Sequence, residues 1–195
     1  MQFSICKQLL GGWLMASFLL GCKDSGKSPA SEEKQYFPVA DYVRSQLHVI
    51  DSLQLPVTLY RSGVNGSDTL LLSTKECLEM AAPFQDPDIT DPAVAAKFTE
   101  TSFADQSIPS VTFNYTTKDE KLPLKRVDVV LHPDPALAEK VRTIYMEKMY
   151  SSGDTLIEEK LFWNNDHYYQ ILRTSRIGSA PPTLSQVKVV WDPTE

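Results

Sequence analysis

The chain has 195 residues, of which 42% are hydrophobic and 23% charged, with 19 basic against 25 acidic side chains and a formal charge of -6. That composition suits a globular domain with an apolar core, and the acidic balance argues against a basic surface for nucleic acid. Cys6, Cys22 and Cys77 stand far apart, so no disulfide framework of the small secreted kind is indicated.

The first segment to resolve is "GCKDSGKS", Gly21 to Ser28, which has the G-x-x-x-x-G-K-S spacing of a phosphate-binding loop. Such a loop needs a buried strand before it and a helix starting at its Lys-Ser, so that backbone N–H groups and the helix end meet the phosphates. Neither is indicated. Leu9 to Leu20 lacks β-branched residues, and Pro29 pushes Ser28 away from helical geometry. A metal-binding acid at Asp134 would follow the apolar run of "RVDVVLHPD", but His132 and Pro133 interrupt it.

Residues 1–21 instead have the parts of a secretory signal: a short region ending at Lys7, about a dozen apolar residues, and a small residue at the cut. The apolar stretch is shorter than the roughly 20 residues that span a bilayer. Leu19, Leu20, Gly21 and Cys22 resemble the lipobox of bacterial lipoproteins. The resemblance implies cleavage after Gly21 and lipidation of Cys22 as the first residue of the mature chain, with the membrane as a partner through the anchor. Two or three acyl chains hold durably where one binds only marginally. Residues 22–34, "CKDSGKSPASEEK", are then a flexible tether, with a typical end-to-end distance near 20 Å. Lys23 and Asp24 do not resemble the retention signal that places Asp directly after the Cys, so the expected address is the outer membrane, on the periplasmic side or at the cell surface. An ordinary secretory signal with a chance Cys is the alternative.

Residues 35–195 read as a single α+β domain: two N-terminal helices with a hairpin, followed by an antiparallel β-meander sheet. Phe37 to Leu53 has Val39, Val43, Leu47 and Ile50 on one helical stripe, with Pro38 in its first turn. "PVTLYRS" and "DTLLLS" flank "GVNG", a hairpin signal. "STKECLEMAAPF" opens with Ser73 three residues ahead of Glu76, the spacing of a capping box; that helix is expected to stop around Pro83. "QDPDITDP" reads as a connector, and Pro92 begins a short helical turn.

From Ser110 the period becomes two. Val111, Phe113 and Tyr115 share one face of a strand; Val127, Val129 and Leu131 share a face of the next; Ile157, Leu161 and Trp163 share a face of a third. The turns "SSGD" and "NNDH" divide Val141 to Tyr150, Leu156 to Trp163 and His167 to Thr174 into a meander closed by "VKVVW". The segment "ALAEKVRTIYMEKMY" also fits a helix, with strand expected at its end.

No recognised catalytic spacing emerges. His48, His132 and His167 form no metal motif. Asp86, Asp88 and Asp91 could gather calcium, but they lack the Gly and terminal Glu of an EF-hand, and turn chemistry accounts for the Asp-Pro pairs. Cys77 is a nucleophile only if a His folds beside it, and packs as a small apolar residue otherwise. The expected site list is therefore Cys22 for lipid attachment, with no catalytic, cofactor or metal residues assigned. Aromatic residues crowd the C-terminal part, and Tyr168 beside Tyr169 places rings on both faces of the sheet. That surplus suits a groove for a lipid, glycan or protein. Three functions stay open: a non-catalytic, lipid-anchored envelope protein that binds a partner or supports an assembly; a carrier-like module holding a lipid or other apolar ligand on a concave sheet; and an envelope hydrolase with an acidic site built from distant residues.

Overall fold

A computed structural model describes residues 36–105, 107, 109–133 and 140–192. The signal, the lipobox with Cys22, the tether and Asp134 lie outside the described residues.

The first helix, α1 (Val39–Ser52), follows from its apolar stripe: Val39, Val43, Leu47 and Ile50 are all buried. Each such side chain stabilises the fold by about 1.5–3 kcal/mol relative to an exposed one. Strand β1 (Val57–Gly63) and strand β2 (Gly66–Leu72) form the expected hairpin, with Gly66 at φ 104°. Helix α2 (Thr74–Met80) starts on a complete capping box, Ser73 Oγ accepting from Glu76 N–H while the Glu76 carboxylate accepts from Ser73 N–H. A 3-10 turn (Ala82–Phe84) and the short helix α3 (Pro92–Ala95), capped by Asp91, complete the helical part. Seven more strands follow: β3 (Phe98–Asp105), β4 (Ser110–Thr117), β5 (Leu124–Leu131), β6 (Val141–Ser152), β7 (Thr155–Asn164), β8 (Tyr168–Ile177) and β9 (Thr183–Val190).

Among the described residues all nine strands join one antiparallel sheet in the order β2-β1-β9-β8-β7-β6-β5-β4-β3. This corrects the expectation of an α+β domain in which two N-terminal helices and a hairpin precede a separate meander. The sheet dominates and the helices are short. The hairpin belongs to the sheet because β1 pairs with the last strand, Leu59 opposite Val189, which buries Val57 and Leu59 beside the meander instead of leaving them to a helix pair. Strand β3 was not expected either. Its residues are exposed apart from Phe98 and the half-buried Asp105, so it shows little of the apolar alternation that marks a half-buried strand.

The meander itself follows the period of two. Val127, Ile144, Trp163 and Tyr169 lie on one face with Leu59 and Val189, and that face shares a single core with Val43, Leu47, Cys77 and Phe84 of the helical layer. Trp163 stacks on Tyr169 at 5.4 Å, with the Phe84 and Trp191 rings close by. Long-range bonds pin the helical layer to the sheet. Tyr36 OH donates to Phe98 O at 2.8 Å, Phe37 N–H to the Tyr115 hydroxyl at 3.1 Å, and Tyr169 OH to Cys77 O at 2.9 Å.

Candidate functional site

The helical layer covers one face of the sheet, and the residues that alternate with the core form the opposite, outer face. Cross-strand register places its side chains in rows. One row crosses the whole sheet: Thr101, Asn114, Asp128, Tyr145, Phe162, Gln170, Lys188, Tyr60 and Thr69 are successive partners from β3 to β2. Neighbouring strands lie about 4.8 Å apart, so the stretch from Tyr145 to Tyr60 extends over roughly 19 Å. Tyr145 and Phe162 are half-buried, and Tyr60 is 48% exposed.

The polar members of this face are held in place by their neighbours. Asn114 Nδ2 donates to Asp128 Oδ1, and Arg126 reaches the same carboxylate at 2.7 and 3.0 Å. Tyr145 OH donates to Glu147 Oε1 at 2.7 Å. Desolvation, followed by the Glu147 hydrogen bond and charge, raises the Tyr145 hydroxyl well above the ordinary phenol range, so the ring is neutral and its O–H stays a donor. Lys188 Nζ sits 3.8 Å above the Tyr168 ring, a cation–π contact that occupies one face of that ring. Arg126 and Lys188 thus stand against Asp128 and Glu147, and the face carries both signs of charge.

A second polar group lies on the helix-covered face, beyond the apolar core. Lys148 on β6 and Glu159 on β7 are register partners, and both are nearly fully buried. Lys148 Nζ donates to the carbonyls of Pro83 and Asp86, tying the turn before Pro87 to the sheet. Arg173 grips Glu159 Oε1 through Nε at 2.8 Å and a terminal nitrogen at 2.6 Å. Burial lowers the pKa of the Lys148 ammonium, an effect that the charges of Glu159 and Asp86 oppose. The sheet register creates this cluster, and no motif in the sequence announces it.

The residues weighed from sequence fall as follows. Cys77 is fully buried at the Tyr169 contact, and burial pushes its thiol up to about 11, the direction opposite to that of a reactive thiolate. His48 is exposed on α1, 3.3 Å from Ser52 Oγ, while His167 lies 3.9 Å from Asp192 at the start of β8. The acidic connector is used in turns: Asp88 accepts from the N–H and hydroxyl of Thr90, Asp91 from Ala93 N–H, and Asp86 lends its carbonyl to Lys148. Among the described residues no three His, Cys, Asp or Glu side chains converge as a metal site would require. Trp163 and Tyr169, prominent in the aromatic-rich segment, are core residues with no exposed surface. The accessible rings of the row are Tyr145, with the Arg126 guanidinium 5.9 Å from its centroid, Phe162 and Tyr60, and Tyr168 and Phe103 add rings elsewhere on that face; Tyr60 escapes a reading centred on the C-terminal segment because it arrives from the other end of the chain. Comparisons with protein-family models, with curated proteins and with solved structures each find no match to this chain.

Proposed function

We propose that the chain is a lipid-anchored protein of the cell envelope, held at the outer membrane through Cys22, and that its domain is a non-catalytic binding module. The resemblance of Leu19 to Cys22 to a lipobox supports the anchor, and the polar composition of residues 23–34 suits a tether. The observation that carries the binding reading is the outer sheet face: a row of half-exposed rings and oriented polar groups on which no described helix packs. Glu159, whose burial would suit a catalytic acid, is already held by Arg173, which favours binding over hydrolysis.

Two measurements test the proposal. Cys22→Ala is expected to abolish incorporation of labelled palmitate and leave the signal uncut, because the lipoprotein peptidase acts on the modified Cys; normal labelling of that variant removes the anchor. Screening the chain against ester, glycoside and peptide substrates is expected to give no turnover. Hydrolysis that disappears on changing one acidic residue removes the non-catalytic reading.

A further inference from the structure

The chemistry of the outer face narrows its ligand. The rings of Tyr145, Phe162 and Tyr60 share their row with Asp128, Gln170 and Lys188. An acyl chain or other wholly apolar ligand laid over that row would strip water from the Gln170 amide and the Lys188 ammonium without offering either a hydrogen-bond partner. The centre of a folded-protein interface is depleted in Lys, Glu and Asp, whereas here such residues flank every ring. Arg126 with Asp128 and Lys160 with Glu158 pair charges across the same surface, so the face presents no single-sign field to attract a polyanion or polycation. The remaining ligand is amphipathic on the scale of one ring, with a C–H face to lie on an aromatic and a rim of hydroxyls for carboxylate, amide and ammonium groups.

Building on the binding-module reading, we propose that the outer face binds a neutral, hydroxyl-rich glycan chain laid across the strands from Tyr145 over Phe162 to Tyr60. The face is long enough for an extended oligosaccharide, since successive strands add about 4.8 Å each along the row. Gln170 and Lys188 lie between the rings and meet the hydroxyl rim. Asp128, fixed by Asn114 and Arg126, offers its carboxylate at the Tyr145 end.

The test is calorimetric titration of the full chain, in a sugar-free detergent, with cello-, malto-, laminari-, chito- and mannohexaose, alongside sedimentation with phosphatidylglycerol–phosphatidylethanolamine vesicles. At least one hexaose is expected to bind. Tyr145→Ser combined with Tyr60→Ser is expected to weaken that binding about tenfold or more, the loss of two ring contacts. Leu53→Ser, just past the exposed end of α1, is expected to leave it within about twofold. Binding of no hexaose, or binding that survives loss of both tyrosines, overturns the glycan assignment. Vesicle binding by the Cys22→Ala chain that Tyr145→Ser removes overturns the glycan while leaving a binding face in place. Hexaose binding that only Leu53→Ser removes overturns this face as the site and leaves the binding function intact elsewhere.

Discussion

Lys148 and Glu159 stand directly opposite each other on the covered face of the sheet, 5% and 3% exposed, and neither relies on the other alone. Lys148 holds two backbone carbonyls and Glu159 holds Arg173. Removing the Lys148 ammonium leaves the Pro83 and Asp86 carbonyls without their buried donor, at about 1–3 kcal/mol for each unsatisfied group, while Glu159 keeps Arg173. Lys148→Met is therefore expected to lower the urea midpoint by an amount corresponding to roughly 3 kcal/mol with an unchanged slope. Combining it with Glu159→Leu is expected to recover little of the loss, because the two carbonyls stay without a donor and Arg173 loses its carboxylate. A double variant as stable as the unsubstituted protein contradicts this account.

Alkaline pH acts on the contact between Cys77 and Tyr169. Burial raises the Cys77 thiol to about 11 and raises the Tyr169 hydroxyl further. A group whose folded pKa lies above its unfolded value contributes stability that is complete below the unfolded pKa and lost as pH rises through the folded one. For Cys77 that window runs from about 9 to 11. Lys148, shifted downwards, works in the opposite sense just below its ordinary value of 10.5, but Tyr42, Tyr115, Tyr145 and Tyr150 are raised along with Tyr169. Urea midpoints are expected to fall above about pH 9, and to fall less steeply in Cys77→Ala. Parallel profiles for the two proteins would remove Cys77 from the explanation.

Helix α2 depends on its cap. Ser73→Ala removes the acceptor for Glu76 N–H and the hydroxyl bonded to the Glu76 carboxylate. A loss of about 1 kcal/mol is expected, read as a lower thermal midpoint. Ser73→Asp, which restores a side-chain acceptor, is expected to recover most of it.

Two glycines of the β1–β2 hairpin separate backbone strain from space. At Gly66, φ is 104° and an added Cβ would meet nothing within 4 Å, so Gly66→Ala is expected to cost about 1–2 kcal/mol through backbone strain alone. At Gly63 an added Cβ would stand 3.5 Å from Ser185 Cβ, an ordinary contact. Gly63→Ala is expected to be neutral or to gain about 0.5 kcal/mol. Chemical denaturation of both variants checks the contrast.

The sequence made the local elements legible wherever one residue's environment repeats at a fixed period. The stripe of α1, the Ser73–Glu76 box, the hairpin glycine and the alternation of β4, β5 and β7 to β9 all needed only neighbours in the chain, whereas the apolar residues of β6 also fitted a helix. What escaped depends on pairing between distant segments. β3 is an edge strand whose residues mostly face water, so its alternation carries no hydrophobic signal. The union of β1 with β9 is a choice of partner, which periodicity does not encode. The candidate site fell in the same gap: Tyr145 and Phe162 sit in a run whose two faces look alike in composition, and only register shows that Trp163 turns inward while Phe162 turns outward beside Gln170 and Lys188.

The pairing of β1 with β9 also sets an order of events during synthesis. The first strand finds its inner neighbour only in the last one, so the hairpin must wait for nearly the whole domain to be delivered before Leu59 is covered by Val189. Contacts of such long sequence separation form late and slowly. Until then Leu59, Leu70 and Leu71 sit on an unpartnered two-stranded ribbon, which is marginal alone. The chain is most open to proteases and escorting chaperones in that interval, and the arrival of β9 ends it.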